Sequence, residues 1–371
     1  MKIKILSILI FFSAAIFVSA QENVNIIPLN ELHPEHSRTI INVPDIDGYK
    51  TLKGDFHMHT IFSDGIVWPT TRVIEAWEEG LDAIAITDHL ENHPSKKDIC
   101  GDDNSSYEIA LEAANERNIL LVKGSEITRS MPPGHFNALF IKDANKLDVE
   151  KPIDAIMNAH EQGAFIIWNH PGWTAQQPDT CKRFDIHNEL IEKGIINGIE
   201  VFNEKEWYQV VLHWCIEDKL TVFSNSDIHD INSHYYPLDD YHRPMTLIFS
   251  KERTLEGLEE SLRSQMTVAW FSKYVAGRED LLRQLYQKSI ITETLKAKTS
   301  KGQTLVEITN NTDFYFEFEA VEEDMPSFTI APNSVFLLRL SDKQAGKEEI
   351  DFTLKNWYVD MLKNLTVTVS L

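Results

Sequence analysis

Short apolar runs alternate with amphipathic stretches from about residue 50 to about residue 270. The runs at 54–59, 83–87, 120–124, 136–141, 165–169, 198–202, 221–224 and 245–250 have the length of β-strands. Between them, 68–79, 107–117, 152–162, 204–219 and 255–264 space their apolar residues as a helix does. Strands that alternate with helices predict βαβ units on a parallel sheet. Some seven such units in about 200 residues fit a closed barrel better than an open sheet. Beyond about residue 285 the helical spacing gives way to strand-like segments at 305–309, 315–320, 334–340 and 365–370. Turn signals at Asn310-Asn311 and Pro332-Asn333 separate them. The expected architecture is α/β, with a barrel over 51–284 and a small all-β, sandwich-like domain over 285–371. Residues 21–50, with scattered Pro and His and little periodicity, are expected to form a lead-in arm.

The first twenty residues stand apart from this pattern. Lys2 and Lys4 precede an uncharged, largely apolar run from 5 to 20 that ends in Val18-Ser19-Ala20. A basic start, an apolar centre and a small-residue end predict a cleaved export signal. The run is short of the roughly 20 residues a membrane span needs. The mature chain is therefore expected to be periplasmic or extracellular, with no stable membrane insertion. Cys100, Cys181 and Cys215 are too few and too widely spaced for a disulfide framework, so the core must carry stability without staples.

The formal net charge is −22, and removing Lys2 and Lys4 with the signal takes it to −24. Such a chain repels a polyanion at long range, which argues against a nucleic-acid polymer as partner. A small anion remains a candidate, because bound cations dominate the field within a site.

The candidate chemistry sits where the apolar runs end. His57 and His59 are two residues apart, which places both on one face of an extended strand. Asp64 follows in Ser63-Asp64-Gly65. Asp88-His89 follows the run at 83–87, Glu126 the run at 120–124, His170 the run at 165–169, and Asp227-Ile228-His229 the run at 221–224. Barrel enzymes gather their active groups at such strand ends. His135 precedes its run; it reaches the same place if that strand is antiparallel or the loop before it folds over the barrel mouth. Any one of these residues has a bland reading as a helix cap, a solvated turn or a surface carboxylate. Two histidine pairs, a Glu and two lone histidines at successive strand ends favour a polynuclear metal site instead. The remaining histidines lack this context and are read as surface or packing residues. Arg129 and Arg243 are candidates for clamping a phosphate through the planar guanidinium. Trp68 and Trp173 are candidates to wall an apolar pocket, and Trp168 to pack in the core.

Taken together the motifs resemble the PHP superfamily of polymerase and histidinol phosphatase domains. The residues that carry the resemblance are His57-x-His59 with Ser63-Asp64-Gly65, Thr87-Asp88-His89, Gly124-Ser125-Glu126, Asn169-His170-Pro171 and Ser226-Asp227-Ile228-His229. The match spans roughly 50–275. It implies a distorted seven-stranded (β/α) barrel with two or three divalent ions, Zn, Mn or Fe. By motif, His57, His59, Glu126 and Asp227 would hold one ion. Glu126, His135 and His170 would hold a second, and Asp64, His89 and His229 a third. The implied reaction is hydrolysis of a phosphoester by metal-activated hydroxide, with Glu126, Asp227 and His229 in the catalytic centre. The wording around 56–69, 124–137 and 168–173 is similar to a subgroup of secreted bacterial members regarded as phosphodiesterases. The scarcity of Lys and Arg near the motifs favours a small organic diester. A phosphomonoester is the alternative substrate, and a metal-loaded module without catalysis is the alternative class.

Overall fold

The computed structural model describes residues 37–237 and 241–371. The stretch expected to be an export signal and most of the expected lead-in arm lie outside the described residues. In chain order the strands are β1 (Lys50–Asp55), β2 (Ala83–Ile86), β3 (Leu120–Ile127), β4 (Phe136–Leu139), β5 (Phe165–Trp168), β6 (Gly198–Asn203), β7 (Glu206–Trp207), β8 (Thr221–Asn225), β9 (Met245–Ser250), β10 (Thr267–Phe271), β11 (Tyr274–Gly277), β12 (Ile290–Lys298), β13 (Thr304–Asn310), β14 (Phe316–Ala320), β15 (Phe328–Ile330), β16 (Ser334–Leu340), β17 (Glu349–Asp360) and β18 (Lys363–Ser370). The helices are α1 (Pro69–Glu78), α2 (Ser105–Glu116), α3 (Pro152–Glu161), α4 (Asp185–Glu192), α5 (Gln209–Asp218), α6 (Asn232–Tyr235), α7 (Leu255–Arg263), α8 (Glu279–Ser289) and α9 (Asp342–Ala345).

The barrel wall runs β1-β2-β3-β4-β5-β6-β8. All its pairings are parallel except the two made by β4, which lies antiparallel to β3 and β5. That reversal brings His135, before β4, to the end of the barrel where the parallel strands finish. The wall closes beyond the ends of β1 and β8. Met58 bridges Ile228 in parallel, the Asp227 amide donates to the His57 carbonyl at 2.9 Å, and the His59 amide donates to the Ile228 carbonyl at 3.0 Å. His57 and His59 therefore sit on this closing seam and not on β1, because β1 exchanges its partners β9 and β2 for the segment after β8. The strands β2, β4 and β5 are buried at every position, as strands covered on both faces must be.

Two expectations need correction. The stretch 204–219 is not one helix: Glu204 adopts φ +48°, β7 folds back on β6, and α5 begins only at Gln209. The sheet also continues past β9 into the antiparallel strands β10 and β11, which were not among the expected segments.

The C-terminal strands form two sheets. One has the order β12-β13-β16 and the other β15-β14-β17-β18. Period-two alternation builds their core: along β18, Leu365, Val367 and Val369 are buried while Thr366, Thr368 and Ser370 are exposed. Phe328 of β15 stacks on Phe336 of β16 at 4.4 Å, linking one sheet to the other. The sandwich is continuous with the barrel, since β17 pairs in parallel with β11. The three cysteines are free thiols, with Cys100 exposed and Cys215 buried. Among the described residues no helix is long and apolar enough to cross a membrane.

Candidate metal centre

Each carrier of a candidate ligand is fixed by its own local bonds. Asp88, at the end of β2, accepts hydrogen bonds from the Thr60 amide (2.6 Å), the Thr60 hydroxyl (2.7 Å) and the Ser63 hydroxyl (2.7 Å). These pin the loop that carries Asp64. The Arg72 guanidinium, buried in α1, donates to the carbonyls of His59 (2.8 Å) and Ile228 (3.1 Å), clamping both sides of the seam. Asp227 sits at φ +51° and His170 at φ +25°. Such backbone is sparsely populated for residues with a Cβ, and it persists where the surroundings dictate it.

All nine predicted ligand side chains converge on one cluster. Asp227 Oδ1 lies 3.1 Å from His57 Nε2 and 3.0 Å from His59 Nε2. Glu126, fully buried, divides its two oxygens. Oε2 faces His89 Nδ1 at 2.6 Å and the Nε2 atoms of His57 and His59 at 3.6 Å. Oε1 faces His135 Nδ1 at 3.1 Å and His170 Nε2 at 3.8 Å. Asp64 Oδ1 lies 3.4 Å from His89 Nε2 and 3.2 Å from His229 Nε2.

Three groups offer donor atoms that all lie within 4.8 Å of one another: His59, Asp64, His89 and His229; His57, Glu126 and His170; and His57, His59 and Asp227. These groups overlap more than the sets implied by the motifs, because His57 and His59 each fall in two. Four donor atoms, His57 Nε2, Asp64 Oδ1, Glu126 Oε2 and His135 Nδ1, are buried and make no well-aligned hydrogen bond among the described residues, facing only the other candidate ligands. A buried polar atom left unpaired is costly. Divalent cations would relieve all four, and the mixed imidazole and carboxylate donors suit Zn, Mn or Fe. The residues present therefore fit the ions.

The electrostatics divide the cluster. Before a cation binds, burial pushes the imidazoles of His57, His89, His170 and His229 down, but the surrounding carboxylates override this and push all four up, His89 to about 9. These imidazoles would release protons to a metal, whereas Glu126, Asp227 and His59 already stand in the binding form. Burial pushes the Glu126 carboxyl up, but His89, His57 and His135 around it override this and hold it well below the usual range. Asp227 is likewise raised by burial and lowered further by His57 and His59. Burial, with His89 and His229 close by, holds the His59 imidazole well below its ordinary value and hence neutral. Ionised carboxylates and a neutral imidazole are the forms that bind a cation.

Both predicted arginines are displaced from the phosphate role. Arg243 is fully buried and donates to Glu79 (2.8 and 3.0 Å) and Asp55 (3.1 Å), so it closes an internal ion network instead. The Arg129 guanidinium is engaged by Glu91 and by the carbonyls of Thr128 and Val149. Of the tryptophans, Trp173 lines the cavity and is 40% exposed, whereas Trp168 is core, stacked on His187 and Trp214. Trp68 is exposed against Phe62 and is not among the residues of the cavity wall.

The cavity over the cluster holds about 260 Å³. Its wall includes Trp173, Asn203, Glu204 and Glu206 besides the candidate ligands, and no Lys or Arg among the described residues. Several groups in and beneath it were not foreseen. Gln176 donates to the Arg129 carbonyl and contacts His135 Nε2 at 3.0 Å, which turns Nδ1 of that ring toward Glu126. Glu200 lies under His57 in β6. Its sequence signal was present: a carboxylate inside the apolar run Gly198-Ile199-Glu200-Val201-Phe202, where burial is costly unless partners wait for it.

Comparison with known proteins bears on this site. A two-domain protein from Bacteroides vulgatus ATCC 8482, described as containing a predicted PHP-like metal-dependent phosphoesterase, is 42% identical in sequence. The match covers 90% of this chain and 99% of that one, with a TM-score of 0.86. The chain belongs to the PHP-like metal-dependent phosphoesterases. Residues 290–370 match a family of Ig-like domains, DUF5001, in agreement with the observed sandwich. Two further structures overlap about half of this PHP-like chain. One, from Bifidobacterium adolescentis ATCC 15703, is described as a metal-dependent phosphoesterase (18% identity, 47% of this chain and 87% of that one, TM-score 0.37). The other is an amidohydrolase from Chromobacterium violaceum with bound sulfate and no metal (16%, 48% and 87%, TM-score 0.36). At these TM-scores neither adds to the assignment. No curated protein matches the chain.

Proposed function

We propose that this protein is an exported phosphodiesterase that hydrolyses small organic phosphodiesters with two or three divalent ions, Zn, Mn or Fe. The observation that carries the reading is the convergence of nine His, Asp and Glu side chains, four of whose buried donor atoms make no well-aligned hydrogen bond. Divalent ions in such a cluster lower the pKa of a bound water toward neutrality and offset the charge that develops on phosphate oxygens.

The chain's own groups divide the remaining work. Glu126 is hemmed in by imidazoles on both oxygens, so it acts as a shared ligand and not as a free base. Asp227 holds the two seam histidines, His57 and His59. Asp64 and His229 are the most exposed of the cluster and border the open cavity, where an arriving phosphate would meet them. Trp173 offers an apolar wall to an ester substituent.

The wall supports a diester over a monoester. A monoester dianion gains from fixed cations around it, yet the wall presents Glu204 and Glu206, and both Arg129 and Arg243 are engaged elsewhere. A singly charged diester suffers less from those carboxylates. Export, and kinship with the secreted subgroup, are supported by the N-terminal pattern of Lys2, Lys4 and Val18-Ser19-Ala20.

The test is turnover of bis-(p-nitrophenyl) phosphate against p-nitrophenyl phosphate by protein reconstituted with Zn²⁺ or Mn²⁺. The diester should be the better substrate. His57→Ala and Asp227→Ala should each abolish the activity while circular dichroism stays native. Undiminished turnover in both variants removes the mechanism, and a faster monoester moves the protein to the phosphatase reading.

A further inference from the structure

Glu200 is a carboxylate with no exposure, in the middle of a strand buried at all six positions. A charge there persists only if its lone pairs are used. They are used by four groups, three of which belong to the metal centre or bond to one of its candidate ligands. Oε1 faces His57 Nδ1 at 2.8 Å and accepts from Asn225 Nδ2 at 2.9 Å. Oε2 accepts from the His170 backbone amide at 2.7 Å and from Asn203 Nδ2 at 2.8 Å.

The identity of these partners settles which way hydrogens point. Asn225 uses its Oδ1 to accept from the Phe56 amide at 2.9 Å, so its Nδ2 is free to donate to Glu200. Asn203 Nδ2 lies between two carboxylates, Glu200 Oε2 and Asp227 Oδ2 (3.3 Å), and donates to both. With acceptor oxygens on Glu200 alone, His57 Nδ1 must carry the hydrogen. Nε2 is then the atom that would give its lone pair to a cation, and it is the atom that points at Glu126 and Asp227 without making a well-aligned hydrogen bond. The bond to the His170 amide braces that residue in its φ +25° conformation. Asn203 extends the brace to Asp227, itself at φ +51°.

We propose that Glu200 is a positioning residue that sets three metal-centre groups at once: His57 by tautomer, His170 by its backbone, and Asp227 through Asn203. The proposal rests on the metal-dependent reading above. It also separates the centre into two parts. His57, His170 and Asp227 depend on Glu200, while Asp64, His89 and His229 form no hydrogen bond with it and are placed by Asp88, Thr128 and the seam.

Glu200→Gln is the informative change because it keeps the shape and removes acceptors. One orientation of the amide sets its NH₂ against the His57 ring and the Asn225 amide. The other sets it against the His170 and Asn203 donors. Either way a donor faces a donor, and the first way drives the hydrogen of His57 onto Nε2, the metal-facing atom.

The experiment is calorimetric titration of metal-free protein with Zn²⁺, with the thermal midpoint of the metal-free form as a control for folding. The unaltered protein should take up at least two Zn²⁺. Glu200→Gln should bind the buried Zn²⁺ about 10–100-fold more weakly, as loss of an outer carboxylate does elsewhere, and should retain one ion at the Asp64, His89 and His229 end. Native affinity and stoichiometry in a folded Glu200→Gln variant overturn the proposal, as does equal loss at both ends of the centre. Should Glu200→Gln fail to fold, Asn203→Ala removes one brace alone and should weaken the buried ions several-fold; native Zn²⁺ affinity there overturns it equally. An unaltered protein that binds fewer than two Zn²⁺ fails at the earlier step, the function reading itself, which the same titration reveals before any variant is made.

Discussion

Arg243 joins two buried acidic side chains. Asp55 and Glu79 both accept from its guanidinium, and Asp55 also accepts from the Ser226 hydroxyl beside Asp227. Breaking a buried ion network by removing one member leaves uncompensated charge, a loss of about 3–5 kcal/mol. Arg243→Met should therefore lower the unfolding free energy read from urea titration by an amount of that order, with a lower midpoint at unchanged m and metal affinity changing only as far as the fold loosens. A midpoint within experimental error of the unaltered protein would show that water or relaxation reaches the site. The cysteines give a second residue-scale outcome. Burial pushes the Cys181 thiol up to about 12 and the Cys215 thiol further still. The thiolate is the reactive form, so at pH 8 both should resist alkylation. Iodoacetamide on native protein should label exposed Cys100 first, with the other two labelled only after unfolding, as peptide mass spectrometry would report.

The loop between β1 and α1 shows how an element sets a site. Gly65 lies so close to the seam that an added Cβ would stand 2.7 Å from the His59 carbonyl carbon and the Thr60 amide nitrogen. Those are backbone atoms and cannot move aside cheaply. Gly65→Ala should push the loop outward and carry Asp64 with it. The expected result is loss of the ion at Asp64, His89 and His229, read as a drop of about one in metal content on elemental analysis, with the buried ions kept. The same loop shows what was legible in the chain. Ser63-Asp64-Gly65, the histidines of the seam and the residues after β2, β3, β5 and β8 announce themselves because ligand types recur where apolar runs end. Short apolar runs likewise exposed most barrel strands, and the alternation of apolar and polar positions several in the sandwich. What stayed hidden was pairing. Whether Arg243 faces a phosphate or Asp55 depends on residues 188 positions apart meeting across the barrel, and local pattern carries no such information. The turn at Glu204 was hidden for a different reason. Its apolar spacing continues smoothly into α5, and only a left-handed residue breaks it. The strand β17 is the contrary case: Ile350, Phe352 and Leu354 alternate with polar neighbours, so its signal stands in the chain although the expected segments do not include it.

At the scale of the molecule, the sandwich is bound into the barrel rather than tethered to it. The parallel pairing of β11 with β17 runs one sheet through both parts. Trp270 of β10 packs on Phe314 at 5.0 Å, and Phe314 in turn packs on Trp357 of β17 at 5.2 Å. Trp207, in the β7 turn beside the cavity, sits on Tyr358 at 4.2 Å. A single hydrophobic cluster holds Leu247 and Trp270 of the barrel together with Phe316, Phe352 and Leu365 of the sandwich. Large apolar interfaces suppress independent domain behaviour. The full chain should therefore unfold in one calorimetric transition, with equal calorimetric and van't Hoff enthalpies. Truncation after Ser289 would leave β11 as an open edge and bare the face around Trp270, which favours association between chains. The truncated barrel should be aggregated by size exclusion. If it stays monomeric and its β7 turn still holds Trp207 in place, it should retain Zn²⁺ binding, because the nine cluster residues all precede residue 230. Two separated transitions in the full chain, or a soluble barrel with native stability, would mean that the shared sheet contributes little and that the sandwich serves a purpose other than holding the barrel.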